Sequence, residues 1–160
     1  FGSVEEPIHW ARHLISTREL QRKTGGFTEF VGLPFVHMAS PIYLRKGARR
    51  GPTFRENLLV HAIARIVYHG YIDNIQASWV KIGLDGMKQM LQAGVNDVGG
   101  TLNGENISRA AGAKHGQMLG KSQFEELCQP LGRELIQRTT LYKTHRGPEG
   151  QRKHIPVAAG

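Results

Sequence analysis

The sequence predicts an α/β fold: parallel strands backed by outer helices, forming one half of a TIM-type (β/α) barrel. Three observations point there. Helix-like and strand-like stretches alternate as αβαβαβ(α)αβ, an order that calls for a parallel sheet with crossover helices. Three strand-like stretches run into polar or glycine-rich turns: the loop after Phe35, Gln76–Lys81 and Asn96–Leu102. In a parallel α/β structure such strand ends form the working rim. Finally, a closed eight-fold barrel takes about 250 residues, and four strand–helix units within 160 residues fill about half of one.

Each element has its own local signal. Ser3-Val4-Glu5-Glu6 has the form of a capping box, with Pro7 tolerated in the first turn. A helix is expected from Glu5 to Lys23, with Ile8, Ala11, Leu14 and Ile15 at helical spacing, stopped by Gly25-Gly26. A strand follows over Phe27–Phe35, and Pro34 closes its pairing. Thr53-Phe54-Arg55-Glu56 is a second capping box, opening a helix with an apolar stripe of Leu58, Leu59, Ala62, Ile63, Ile66 and Val67. That helix stops near His69-Gly70. A strand over Asn74–Val80, a helix over Asp85–Gln92 and a short strand over Val95–Val98 come next. A helix over Ser122–Leu131 and a strand over Leu135–Leu141 complete the order. Residues 1–142 are assigned to the barrel portion. Residues 143–160 are polar, Gly-rich and basic, and read as a loose tail.

Composition narrows the function classes. Hydrophobic residues at 39% and charged residues at 21% are ordinary for a globular domain. No apolar run approaches the roughly 18–20 residues that span a bilayer. FGSVEEPIHW lacks the basic and apolar regions of a secretory leader. One cysteine, Cys128, excludes an internal disulfide and a multi-thiolate metal site within the chain, and fits a reducing cytoplasm. The net charge of +8 gathers at Arg45, Lys46, Arg49, Arg50 and Arg55 and in the tail. Without interleaved stacking aromatics or a reading helix, it suggests a solvated face and small-anion contacts rather than nucleic acid.

The blocks GFTEFVGLPFVHM, ARRGPTFRE, NIQASWVK, NDVGGTL, ISRAAGAKHGQ and QRTTLY, in this order, resemble the FO synthase family of deazaflavin-forming radical S-adenosylmethionine enzymes. More narrowly they are similar to its tyrosine-using half, the 5-amino-6-(D-ribitylamino)uracil–L-tyrosine 4-hydroxyphenyl transferases. The resemblance covers Phe1–Tyr142; the related menaquinone-pathway radical enzymes share the architecture and fit the PFVHM…PIYL…ARRGPTFRE run less well. It implies a radical-enzyme barrel, a 4Fe-4S cluster, S-adenosylmethionine, and the substrates L-tyrosine and 5-amino-6-(D-ribitylamino)uracil. The family binds its cluster through CxxxCxxC, and this chain has only Cys128, in an apolar helical pattern. The resemblance therefore implies a C-terminal portion, inactive alone, that completes its pocket with a cluster-bearing N-terminal half. Gly32 and Asn103-Gly104 are smaller departures.

Candidate site residues follow from position and chemistry. Alternation puts Asn74, Gln76 and Ser78 on one strand face, where Gln76 and Ser78 could bond a uracil edge, ribityl hydroxyls or the nucleoside. The bland alternative is a satisfied internal polar network. Asp97 precedes Gly99, Gly100 and Thr101, whose backbone can approach a bound group closely; otherwise the pair marks only a tight turn. Glu105 could hold a hydroxyl or amine, or simply start a helix. His37, beyond the first strand, suits hydrogen bonding or proton shuttling. Together with Asp97 it is the catalytic candidate. Glu29, within a strand, needs an arginine or a ligand hydroxyl as partner. His9 and His13 have metal-ligand spacing but no third ligand, and His61 reads as a packed histidine. The Arg45–Arg55 cluster could clamp a carboxylate, though a solvated loop is the default. Two other classes stay open: a non-catalytic half-barrel that binds substrate or pairs with a cluster-bearing chain, and an α/β enzyme holding phosphate at Gly99-Gly100.

Overall fold

The computed structural model describes residues 1–100 and 119–144. Thr101, Glu105 and the tail beyond Thr144 lie outside the described residues.

Helix α1 spans Pro7–Thr24, within two residues of expectation, but its cap differs. Pro7 occupies the first helical turn, where its fixed φ is already helical, so the cap falls on Glu6. The Glu6 N–H donates to His9 Nδ1 at 3.0 Å. Ser3 serves the neighbouring carboxylate instead, its N–H and Oγ donating to Glu5 Oε2 at 2.8 and 3.1 Å. Backbone amides, its own first, outweigh the cost of burial and hold the Glu5 carboxyl down to about 2. A depressed acid stabilises the fold above its unfolded value and loses that contribution as pH falls through the folded one. The stability difference between wild type and Glu5→Gln is therefore expected to be present at pH 5, to fall steeply toward about pH 2, and to vanish below it. Urea midpoints across that range read it.

Strand β1 (Phe30–Gly32) pairs in parallel with β2 (Ile75–Ala77), in the register Phe30↔Ile75, Val31↔Gln76, Gly32↔Ala77. A parallel bridge from Gln76 to Asp97 adds a third row where a strand over Val95–Val98 was expected. The strands stand where the sequence puts them and are shorter. Gln21, buried on α1, takes the Phe27 N–H and donates to Phe27 O and Tyr71 O, so the chain before β1 bonds a helix rather than a strand. At the other end Trp79 already begins a helix. The expected strand over Leu135–Leu141 is absent. Tyr142 adopts φ +58° and reverses the chain, leaving one antiparallel bridge, Arg138↔Thr144.

A short helix, α2 (Pro41–Leu44), lies in the arginine-rich loop. Helix α3 spans Phe54–Val67 behind the predicted box: Thr53 Oγ1 accepts from the Glu56 N–H at 3.2 Å and Glu56 accepts from the Thr53 N–H at 2.7 Å. Its buried face corrects the expected stripe. Asn57, Val60, His61 and Ala64 point inward, whereas Leu59, Ile63 and Ile66 are exposed. Residue hydrophobicity alone misassigns the face, because His61 meets part of its polar need on its own helix, Nδ1 lying 2.8 Å from Asn57 O. The imidazole packs directly beneath Gly32, where an added Cβ would sit 2.8 Å from His61 Cε1. That contact accounts for the unusual glycine. Gly32→Ala is expected to cost about 1–3 kcal/mol through overpacking, read by chemical denaturation.

Helix α4 runs Trp79–Gln92, six residues earlier than expected, and Gly83 (φ 72°, ψ 175°) interrupts it. The portion after that break is the predicted helix. Helix α5 (Lys121–Cys128) continues into a 3₁₀ turn, Gln129–Leu131. Between strands and helices lies the core: Ala64, Tyr68, Ile72, Ile75, Ala77, Met87, Met90 and Val95 are essentially inaccessible, with Phe124, Leu127 and Cys128 closing one side. On α1 only Leu14 joins this core, while Ile8 and Ile15 remain exposed. No helix among the described residues is long and apolar enough to cross a membrane.

Candidate functional site

The strand register defines the site. Residues opposite one another in a parallel ladder share a face, and so do residues two apart along a strand. Phe30, Ile75 and Ala77 turn toward the helices. Val31, Gln76 and Asp97 form a row on the opposite face, with Glu29 one step toward the strand starts. Ser78 and Gly99 lie one step toward the strand ends. Four of the sequence-predicted polar candidates thus share one face with Gly99.

Arg138, from the segment after α5, joins three of them. Its Nε donates to Asp97 Oδ2 at 2.5 Å, and Nη2 donates to Gln76 Oε1 at 3.2 Å. Nη2 also lies 3.6 Å from Glu29 Oε2. The guanidinium sits over the Tyr142 ring, 4.1 Å from its centroid, and the Tyr142 hydroxyl donates to Glu29. Burial pulls the Arg138 pKa down, but the hydrogen bond and charge of Asp97 outweigh it and hold the group above its usual range. Burial, then the hydrogen bond to Glu29, raises the Tyr142 phenol well above the ordinary tyrosine value. Glu29 therefore has the arginine partner that its position required.

The other Asp97 oxygen serves the rim. Oδ1 accepts from the Gly99 N–H at 2.7 Å. Gly99 takes φ +74°, a conformation L side chains rarely adopt, and a Cβ there would lie 3.5 Å from the Gln76 amide. Gly100 O accepts from Trp79 Nε1 at 3.1 Å. Ser78 caps the start of α4 by position, yet its side chain makes no cap bond, so the hydroxyl is not spent on the helix. The rim offers a glycine corner beside a hydroxyl, with a polar row beneath.

Other candidates fall elsewhere. His37 packs edge-to-face on Tyr43 at 4.7 Å, within the long loop. Arg49 pairs with Glu56 and covers Trp10, and Arg50 donates to the Tyr43 hydroxyl, so part of the arginine cluster fastens the loop. His61 is 1% exposed, and burial lowers its pKa. Sequence reasoning missed Arg138 and Tyr142 as site residues because Arg138 lay in a stretch read as a strand and Tyr142 just past its end. Glu29, which needed an arginine or a ligand hydroxyl as partner, was the one signal that pointed toward them.

The residues present do not fit the iron–sulfur cluster that the resemblance implies. The one cysteine, Cys128, is buried in the apolar core, where burial pushes its thiol up. Among the described residues no three His, Cys, Asp or Glu side chains gather as a metal site. Three cysteine ligands are absent from the sequence itself.

Fold and site define an α/β protein whose polar strand face is held by its own C-terminal segment and ends in a glycine corner. The chain belongs to the family described as the CofH/MqnC C-terminal region, which it matches over residues 24–149. It is similar to the FO synthase of Nocardia farcinica, 53% identical over 142 residues, covering 89% of this chain and 16% of the relative. To the FO synthase of Mycobacterium tuberculosis (strain ATCC 25618 / H37Rv) it is 51% identical over 142 residues, 89% of this chain and 17% of that protein. To the 5-amino-6-(D-ribitylamino)uracil–L-tyrosine 4-hydroxyphenyl transferase of Methanopyrus kandleri it is 48% identical over 143 residues, 89% of this chain and 39% of that one. The chain thus spans about a sixth of the FO synthases it matches.

Proposed function

We propose that this chain is the C-terminal part of a transferase that uses L-tyrosine and 5-amino-6-(D-ribitylamino)uracil in deazaflavin formation. One observation carries the reading. The same stretch matches the long FO synthases and the much shorter transferase at nearly equal identity, so the activity they share is the one to assign. The parallel pair with its bridged third row supports half of a (β/α) barrel; residues 1–142 are assigned to it, and 143–160 to a tail, from the sequence alone. Ser78, Gln76 and the Gly99–Gly100 corner are assigned to the substrate or cofactor wall, and Thr101 and Glu105, outside the described residues, are assigned to it from the sequence alone. His37 is the candidate proton-handling group, and Glu29 and Asp97 shape the wall from below.

S-adenosylmethionine and a 4Fe-4S cluster belong to the complete enzyme, and every cluster-dependent step belongs to residues outside this chain. The cluster-bearing portion is supplied on the same polypeptide or by a partner, and the setting is cytoplasmic. The test is anaerobic assay of the cluster-bearing enzyme with S-adenosylmethionine, reductant, tyrosine and the aminouracil. Tyrosine loss with formation of the hydroxybenzyl adduct is expected, and the 160 residues alone are expected to be inert. A fully loaded enzyme that leaves tyrosine untouched overturns the reading.

A further inference from the structure

We infer that Arg138 is a positioning residue: it holds both side chains against which Gly99 is set, and so fixes the Gly99–Gly100 corner at the rim. Two contacts converge on Gly99. Its N–H donates to Asp97 Oδ1, and a Cβ built on it would lie 3.5 Å from the Gln76 amide nitrogen. Arg138 bonds the remaining oxygen of Asp97 and the carbonyl of that same Gln76 amide. A single guanidinium therefore restrains both supports of a backbone conformation that has little intrinsic preference for one value.

Direction separates positioning from catalysis. Ligands of parallel α/β sheets bind beyond the C-terminal strand ends. Arg138 reaches Glu29, just before β1, and the middle row at Gln76 and Asp97, so it lies below the rim. The Tyr142 ring and the Tyr142–Glu29 bond hold the guanidinium in place. Arg133 ties the same segment to the third row by donating to Val95 O at 3.0 Å. Departure of this segment would release the corner without removing any residue of the rim. Lysine cannot replace the fork, because a point-charge ammonium does not span Asp97 and Gln76 with fixed geometry.

The inference rests on the reading of the rim as the substrate wall, yet its primary test does not need turnover. Amide exchange at Gly99 is followed in the complete cluster-bearing enzyme for wild type, Arg138→Lys and Arg138→Met. Loss of the charged restraint is expected to speed Gly99 exchange about ten-fold, with α1 and α3 unchanged and Arg138→Lys intermediate. Added ethylguanidinium is expected to slow exchange again in Arg138→Ala, whose missing atoms it matches, and an Asp97→Asn background to shrink the effect of Arg138→Met to the part carried through Gln76. If Arg138→Met does not fold, Arg138→Lys with the same readouts decides. Unchanged exchange at Gly99, or equal acceleration throughout the helices, overturns the inference. Wild type that consumes no tyrosine while Arg138 variants loosen Gly99 overturns the functional reading alone.

Discussion

Asp97→Asn is expected to destabilise the protein by about 3 kcal/mol, the scale of breaking a buried charge pair. The carboxylate is 8% exposed and both of its oxygens accept bonds. An asparagine can keep the Gly99 N–H on its oxygen, but it then presents an NH₂ to the Arg138 fork. Two donors would face each other inside the fold, with little water to relieve either. Glu29→Gln is the control. That side chain is 35% exposed and its nearest Arg138 nitrogen lies 3.6 Å away, so the loss should be at most about 1 kcal/mol. Denaturation midpoints at pH 7 compare them, and equal losses would mean that burial at Asp97 does not set the cost.

Arg65→Met is expected to cost a similar amount, about 3 kcal/mol, by removing three charge-assisted hydrogen bonds. Arg65 lies on α3, and burial lowers its pKa below the arginine norm, countered in part by Asp73. Nε donates to Gly94 O at 2.7 Å, Nη1 to Asp73 O at 2.8 Å, and Nη2 to Asn96 Oδ1 at 2.7 Å. Asn96 in turn takes the Ile75 N–H and donates to Asp73 O. One side chain thus joins a helix to the approaches of β2 and the third row. Since the second and third of these bonds are solvent-exposed, the expected loss stays well below that of three buried bonds. Arg49→Met should lose less than about 1 kcal/mol of ion-pair energy, because its Glu56 pair is exposed. Parity between the two variants would show that the linkage through Arg65 is not what holds the turns.

Local signals proved dependable where the physics is local. The Thr53–Glu56 box opens α3 as read, and the start of β2 lies within a residue of expectation, because caps and short apolar alternation act within a few residues. Glu29 was legible as an acid that demands a partner, and Gln76 and Asp97 as polar residues near strand ends. Failures came where a distant residue decided. Leu59, Ile63 and Ile66 look like a core stripe, but β1 selects the face carrying Asn57 and His61, through the empty space at Gly32. The stretch around Arg138 resembles a strand until Tyr142 reverses it at φ +58°.

By itself the sequence determined the alternation of helices and strands, the single cysteine that leaves no thiolate set for a cluster, and the family. Those are properties of composition, short-range periodicity and residue order. Only the tertiary structure decided that Arg138, 62 residues from Gln76 and 41 from Asp97 in the chain, completes the polar face. A buried acid must find its cation in space, and nothing in local spacing says which one arrives.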